Sequence, residues 1–212
     1  MIVDDFKKLP VLGILRGAGM DSIEPLVETA IEAGLATMEI TMNTPGASGL
    51  LARAIEVASG RLTIGAGTVL DRDDLDSALA AGATFIVMPT LVLEVVSECR
   101  RHGIPVFPGA LTPQEIFDAH RAGATMVKVF PAKFFGPTYF KEIKGPFGNI
   151  ELLACGGVDA ANLADFFANG ASAVAFGGSI FQKKWIVDGH YDRIGEAIRG
   201  LLDAYRSSPA AS

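Results

Sequence analysis

The sequence predicts an α/β fold, a closed (β/α)8 TIM barrel with a short N-terminal helix, and three observations carry that expectation. A helical stretch, a glycine and a short apolar strand follow one another at Ala33-Gly34-Leu35, Ser59-Gly60-Arg61, Ala81-Gly82-Ala83, His102-Gly103-Ile104, Ala122-Gly123-Ala124 and Asn169-Gly170-Ala171. The apolar strands recur every roughly 20 to 26 residues, which is the period of a parallel βα unit and too long for a sandwich. A chain of 212 residues with 50% hydrophobic content suits one domain with a substantial core.

Taken in order, Ile2 to Lys8 reads as a short helix plugging the bottom of the barrel. The strands are expected at Val11 to Leu15, Thr37 to Thr41, Leu62 to Gly65, Phe85 to Met88, Pro105 to Phe107, Met126 to Phe130, Leu152 to Ala154 and Ala173 to Phe176. The repeated glycines stand where a helix needs a left-handed residue before the chain turns into the next strand. Thr112-Pro113-Gln114-Glu115 is a capping box with proline at the first helical position, and Asp21 and Asp159 suit the N-caps of the helices that follow them. Tyr191 to Tyr205 reads as one amphipathic helix. One domain over residues 1–206 is expected, followed by a small polar tail, 207–212, too poor in apolar residues to order itself.

Composition narrows the partners. The net charge is −6, and no Lys/Arg cluster exceeds Lys183-Lys184, which disfavours nucleic acid. Cys99 and Cys155 are too few and too far apart for a disulfide framework or a zinc site, which fits a reducing cytoplasm. Asp4, Asp5, Lys7 and Lys8 stand where a signal peptide needs an apolar run. The charge-free stretch Phe166 to Gln182 is broken by Asn169, Gly170, Gly177 and Gly178, so no membrane span is expected. His102, His120 and His190 lie on helices or loops away from the strand ends and show no ligand spacing, which argues against a metal site.

In a barrel of this kind chemistry gathers at the C-terminal ends of the strands. The sixth strand carries Lys128, on one face with Met126 and Phe130 while Val127 and Val129 take the other. An amine among apolar side chains is either one half of a structural Lys–Glu pair or a neutral nucleophile able to condense with a ketone. The second strand carries Glu39, on one face with Thr37 and Thr41. A carboxylate and an amine sent into one barrel are the equipment for imine formation and proton transfer. Gly156-Gly157 and Gly177-Gly178-Ser179 end the seventh and eighth strands, where bare backbone N–H groups and a helix N-terminus can face a phosphate. Two tight turns are the plainer reading. Arg16, ending the first strand, is either a bidentate clamp for an anion or a solvated charge.

The set LPVLGILRG (Leu9 to Gly17), MEITMNTP (Met38 to Pro45), IGAGTVL (Ile64 to Leu70), VMPT (Val87 to Thr90), VFPGALTPQE (Val106 to Glu115), VKVFPA (Val127 to Ala132), GPF (Gly145 to Phe147) and FGGSIF (Phe176 to Phe181) resembles the KDPG/KHG aldolase family. The resemblance implies a class I, metal-free aldolase of the (β/α)8 fold that needs no cofactor, typically a homotrimer. On the matching positions it implies that Lys128 forms the Schiff base with pyruvate, Glu39 moves the protons and Thr68 holds the pyruvate carboxylate. Pro89 and Phe130 would wall the pocket, and Gly156, Gly157, Gly177, Gly178 and Ser179 would hold the substrate phosphate.

Two positions depart from the gluconate-type pattern, which has arginine where this chain has Asn43 and threonine where it has Cys155. Arg16, Asn43, Cys155 and the stretch from Phe135-Gly136-Pro137 to Tyr139 resemble relatives that cleave the C4 epimer, the phosphogalactonate derivative. Thr41 and Gly178-Ser179 resemble the gluconate type. The activity implied is retro-aldol cleavage of a 2-keto-3-deoxy-6-phospho sugar acid to pyruvate and glyceraldehyde 3-phosphate. The alternatives are a 4-hydroxy-2-oxoglutarate aldolase and a phosphate-binding barrel isomerase or epimerase, which would keep the glycine turns without needing the lysine.

Overall fold

The computed structural model describes residue 1 and residues 3–211, and over them a parallel sheet curls into a barrel with helices outside. Its strands are β1 (Val11–Leu15), β2 (Thr37–Thr41), β3 (Thr63–Gly67), β4 (Ile86–Val87), β5 (Val106–Phe107), β6 (Gly109–Ala110), β7 (Val127–Val129), β8 (Leu152–Cys155) and β9 (Ala173–Phe176). The hydrogen-bonded order is β5-β4-β3-β2-β1-β9-β8-β7-β6. β5 and β6 are two parts of one stave interrupted at Pro108, which has no N–H to donate. That stave bonds on both sides, accepting from Met88 N–H at the Phe107 carbonyl (3.1 Å) and from Lys128 N–H at the Pro108 carbonyl (2.9 Å), so nine segments close eight staves.

Three strands begin and end where the sequence places them, and the other five shift by one or two residues. β3 runs on to Gly67 rather than stopping at Gly65, because its ladder with β2 continues through the pair Thr41 and Gly67. The six interelement glycines all adopt positive φ, from 66° at Gly103 to 103° at Gly123.

The outer layer comprises α2 (Met20–Glu32), α3 (Ala47–Ala58), α4 (Arg72–Ala80), α5 (Leu93–Arg101), α6 (Pro113–Ala122), α7 (Pro137–Lys144), α8 (Leu163–Ala168), α9 (Lys183–Val187) and α10 (Tyr191–Arg206). α6 starts on the expected capping box: Thr112 Oγ1 accepts from Glu115 N–H (3.3 Å) and Glu115 Oε2 from Thr112 N–H (2.8 Å). Asp21 is not the cap of α2. That place falls to Gly19, whose N–H donates to Ser22 Oγ at 3.1 Å, and Asp21 lies within the first turn. Asp159 caps the turn leading into α8, accepting from the N–H groups of Ala161 and Asn162 at 2.9 and 3.1 Å.

Inward and outward strand faces make two separate apolar layers. Outward residues such as Val11, Ile40, Ile64, Val129 and Val174 pack against the helices. Inward residues, among them Leu12, Phe85, Phe107, Met126 and Leu153, fill the barrel itself. The first helix, α1 (Val3–Lys8), sends Phe6 into the barrel floor, edge-on to Phe107 at 5.9 Å, and Phe107 meets Phe85 edge-on at 6.0 Å. Ile2, included in the expected helix, lies outside the described residues.

The C-terminal tail departs from expectation. Ser208 is buried, its Oγ donating to the Tyr205 carbonyl at 2.6 Å, and Pro209–Ala211 forms a 3-10 turn beside Ala164 and Phe167 of α8. Ser212 lies outside the described residues.

Because Phe6 is the apolar stopper of the barrel, Phe6→Ala should cost about 3 kcal/mol or more of unfolding free energy. Denaturant titration checks this as a lower midpoint at unchanged slope.

Candidate active site

β2 and β7 each send one ionisable side chain inward near their C-terminal ends. Glu39 is 1% exposed and Lys128 is 5% exposed. Among the described residues neither oxygen of the Glu39 carboxyl meets a protein hydrogen-bond donor. Burial pushes its pKa above the ordinary carboxyl value, against the pull of the Lys128 and Arg16 charges. The neighbouring strand makes room for it: a side chain on Gly67 would collide with Oε1 and Cδ of Glu39. The sequence shows Gly67 within the IGAGTVL stretch but gives it no role, because the collision it avoids is with a side chain on another strand.

Lys128 Nζ lies 5.4 Å from the centre of the Phe130 ring and close enough to the Cys155 thiol for its charge to act on it. Burial pushes that thiol up from its ordinary range, opposed by the Lys128 charge. β7 can pair closely here because Gly109 stands opposite Lys128 in the ladder, and a Cβ on Gly109 would strike the Pro89 carbonyl.

Arg16 joins the two halves of the site. Its Nη2 donates to Thr68 Oγ1 at 3.2 Å, and Thr68 is held at φ 56°, in the left-handed region. The next residue after Arg16, Gly17, donates its N–H to Thr44 Oγ1 at 3.0 Å, and Thr44 Oγ1 also meets Thr41 Oγ1 at 3.0 Å. The loop bearing Arg16 is thus tied to the end of β2, one residue pair beyond Glu39.

A cavity of about 490 Å³ opens beside Arg16, Phe130 and Cys155, with neither Lys128 nor Glu39 on its lining. Arg16, Phe130, Cys155, Gly156, Gly157, Gly177, Gly178 and Ser179 line it, as the sequence groups them, together with Ile14, Ala175, Phe181, Lys133 and Lys183, which it did not single out. Gly156 and Gly157 both have positive φ, at 93° and 86°. Among the described residues, the N–H groups of Gly157, Gly178 and Ser179 meet no protein acceptor, and Ser179 Oγ donates to the Val158 carbonyl at 3.3 Å. The expected helix N-termini are not behind these turns: α8 begins only at Leu163, and α9 is a five-residue helix. Thr68 is buried beside Arg16, Pro89 packs by its carbonyl against Gly109, and Asn43 is exposed in the turn after β2 and outside the cavity lining.

Among the described residues no group of three or more His, Cys, Asp or Glu side chains could hold a metal ion. The site offers a buried amine, an unsatisfied buried carboxyl and a mouth rich in backbone N–H donors.

The aldolase family described as KDPG and KHG aldolase matches residues 2–197. The chain belongs to this family. It is 32% identical over 202 residues to 2-dehydro-3-deoxy-6-phosphogalactonate aldolase of Escherichia coli K12, covering 95% of this chain and 97% of that one. It is also 36% identical over 200 residues to 2-dehydro-3-deoxy-phosphogluconate aldolase of Pseudomonas aeruginosa, covering 93% and 88%. A crystal structure of KDPG aldolase from Legionella pneumophila, with pyruvate captured as a covalent carbinolamine, superposes with a TM-score of 0.85 at 26% identity, covering 92% of this chain and 95% of that one. These relatives share the barrel, and the aldolases are lyases.

The raised pKa of Glu39 has a consequence for stability. The folded state favours its protonated form, so this contribution is present in full below the ordinary value of 4.5 and is lost as pH rises through the higher folded value. Glu39→Gln should therefore be more thermostable than the parent at pH 7 to 8, with the gain vanishing below pH 4.5. Thermal midpoints across pH check this; a gain independent of pH would show that ionisation is not its source.

Proposed function

We propose that this chain is a class I aldolase that cleaves a 2-keto-3-deoxy-6-phospho sugar acid to pyruvate and glyceraldehyde 3-phosphate, with Lys128 as the Schiff-base lysine and Glu39 as the proton carrier. The observation that carries the reading is the pairing of a buried amine with a buried, unsatisfied carboxyl inside the mouth of one barrel. Its family membership and the named activities of its relatives support the same reaction.

Lys128 Nζ adds to the C2 ketone to give a carbinolamine, and loss of water gives the iminium. Glu39, protonated more readily than an exposed carboxyl, delivers the proton that lets hydroxide leave as water. The carboxylate so formed is the base that takes the C4 hydroxyl proton. The C3–C4 bond breaks, its electron pair moves into the iminium, and glyceraldehyde 3-phosphate departs. Protonation of the enamine at C3 and hydrolysis of the iminium release pyruvate and restore the free amine. Burial of Glu39 serves this sequence, because a carboxyl shielded from bulk solvent is easily returned to its protonated form between transfers.

Arg16 and Thr68 are read as the binding pair for the pyruvate-end carboxylate, supported by their mutual hydrogen bond and by the place of Arg16 on the cavity lining. Phe130 and Pro89 are read as walls, Asn43 as a rim residue, and the two glycine turns with Ser179 as the phosphate seat. The finer assembly, a homotrimer, rests on the family resemblance, and the cytoplasmic address rests on the two widely spaced cysteines. Phe134 and Phe135, 71% and 53% exposed just after β7, are an apolar surface that such an assembly would cover. Among the described residues no helix is long and apolar enough to cross a membrane.

Borohydride reduction in the presence of pyruvate should add the mass of a reduced adduct to the wild type and nothing to Lys128→Ala. Turnover in Lys128→Ala should fall by about four orders of magnitude or more with circular dichroism unchanged. An adduct on a different lysine, or wild-type turnover in the variant, would end this assignment.

Cys155 lines the cavity beside Lys128 and offers a hydroxyl no strong hydrogen-bond partner. Apolar walls separate epimers by only about 1 to 3 kcal/mol, so both C4 epimers should be cleaved within about two orders of magnitude in kcat/KM. Cys155→Thr should move the preference toward the gluconate epimer. Side-by-side kinetics decide this, and strict selectivity in the parent would place stereochemical control elsewhere.

A further inference from the structure

We infer that Lys133 and Lys183 form a two-sided cationic clamp for the distal phosphate of the substrate and set the preference for phosphorylated over unphosphorylated keto acids. The inference rests on the aldolase reading above and deepens it.

Charge is the first argument. The chain carries a net charge of −6, yet the cavity lining holds Arg16, Lys133 and Lys183 and not one Asp or Glu. Among the described residues, none of the ion pairs engages either lysine. Cations gathered in a concave surface without counter-charges raise the local concentration of an anionic ligand and hold it by charge-assisted hydrogen bonds.

Placement is the second argument, because each glycine turn carries its own lysine. Lys133 lies on the 3-10 turn Ala132–Phe134 that follows β7, and its N–H donates to the Gly156 carbonyl at 2.9 Å. Its Cβ sits 2.5 Å from where a side chain on Gly157 would begin, so Gly157 must lack one for Lys133 to line the cavity, where its Nζ rests 5.3 Å from the centre of the Phe134 ring and free of any ion pair among the described residues. Lys183 opens α9 directly after the other turn, which is closed by Phe181 N–H to the Gly177 carbonyl at 2.9 Å and by Gln182 Nε2 to the Ser179 carbonyl at 3.3 Å. Gly157, Gly178 and Ser179, whose N–H groups meet no acceptor among the described residues, line the same cavity as both lysines. A phosphate seated on those N–H groups meets an ammonium from either side, whereas a neutral sugar terminus gains nothing from the two charges.

The test compares a phosphorylated 2-keto-3-deoxy acid with its unphosphorylated form in Lys133→Ala, Lys183→Ala and the double variant. KM for the phosphorylated acid should rise about tenfold in each single variant and about a hundredfold in the double variant, with kcat changed far less. The ratio of kcat/KM for the phosphorylated over the unphosphorylated acid should fall with it, and its dependence on ionic strength should flatten. Lys133→Arg should restore most of the ratio. An unchanged ratio in the double variant would overturn the clamp, as would an equal loss on both acids. Should the alanine variants fold poorly, Lys133→Gln with Lys183→Gln keeps most of each side-chain stem and reads the same ratio. Inorganic phosphate gives an independent arm: it should raise the thermal midpoint of the wild type and not that of the double variant. If the wild type cleaves neither acid, the aldolase reading falls while the phosphate shift still decides the clamp.

Discussion

A carboxyl group sealed in a barrel with neither oxygen hydrogen-bonded sets the terms for its surroundings. Leaving a polar group dry and unpaired costs folding free energy, and a charged one costs far more, so Glu39 survives there only with its charge suppressed or with cations close by. Both conditions are met: burial favours the neutral acid, and the charges of Lys128 and Arg16 keep the ionised form within reach. Gly67 exists as glycine to leave the carboxyl its space, and the register of β2 against β3 sets Gly65 opposite Glu39 and Gly67 opposite Thr41. A group balanced between two protonation states is what repeated proton transfer at one carbon skeleton requires.

The two ends of the substrate are recognised by different kinds of structure. Glu39 and Lys128 ride on staves whose neighbours on both sides fix them, so their separation is a property of the sheet. The distal end is met by turns, where a few backbone N–H groups and flexible lysine stems do the holding. Rigid chemistry with adaptable recognition is the usual division in a barrel, because strands tolerate little change and the loops at their ends tolerate much.

Most of the fold could be read from the sequence because its signals are local. Apolar runs bounded by glycine mark Val11–Leu15, Thr37–Thr41 and Ala173–Phe176 to the residue, and the alternation around Lys128 and Glu39 sets them inward. What escaped depends on proximity across the chain. Lys183-Lys184 reads as a solvated doublet until the fold brings it to the Gly157 turn, and nothing local separates Lys133 from other surface lysines. Gly67 declares its purpose only when β2 lies beside it. Ser208 to Ala211 looks like loose polar tail, yet α8 and α10 give it a surface to settle on.

The aromatic stack of Phe6, Phe107 and Phe85 divides the barrel into two storeys, only the upper of which meets solvent through the mouth. The storeys are joined by the same staves but share few side chains. Heat tolerance, governed below by how well three rings and α1 fill the floor, is therefore open to improvement by engineering or by drift with little penalty in turnover. The upper storey has no such latitude, since its emptiness and its unsatisfied carboxyl are the working parts.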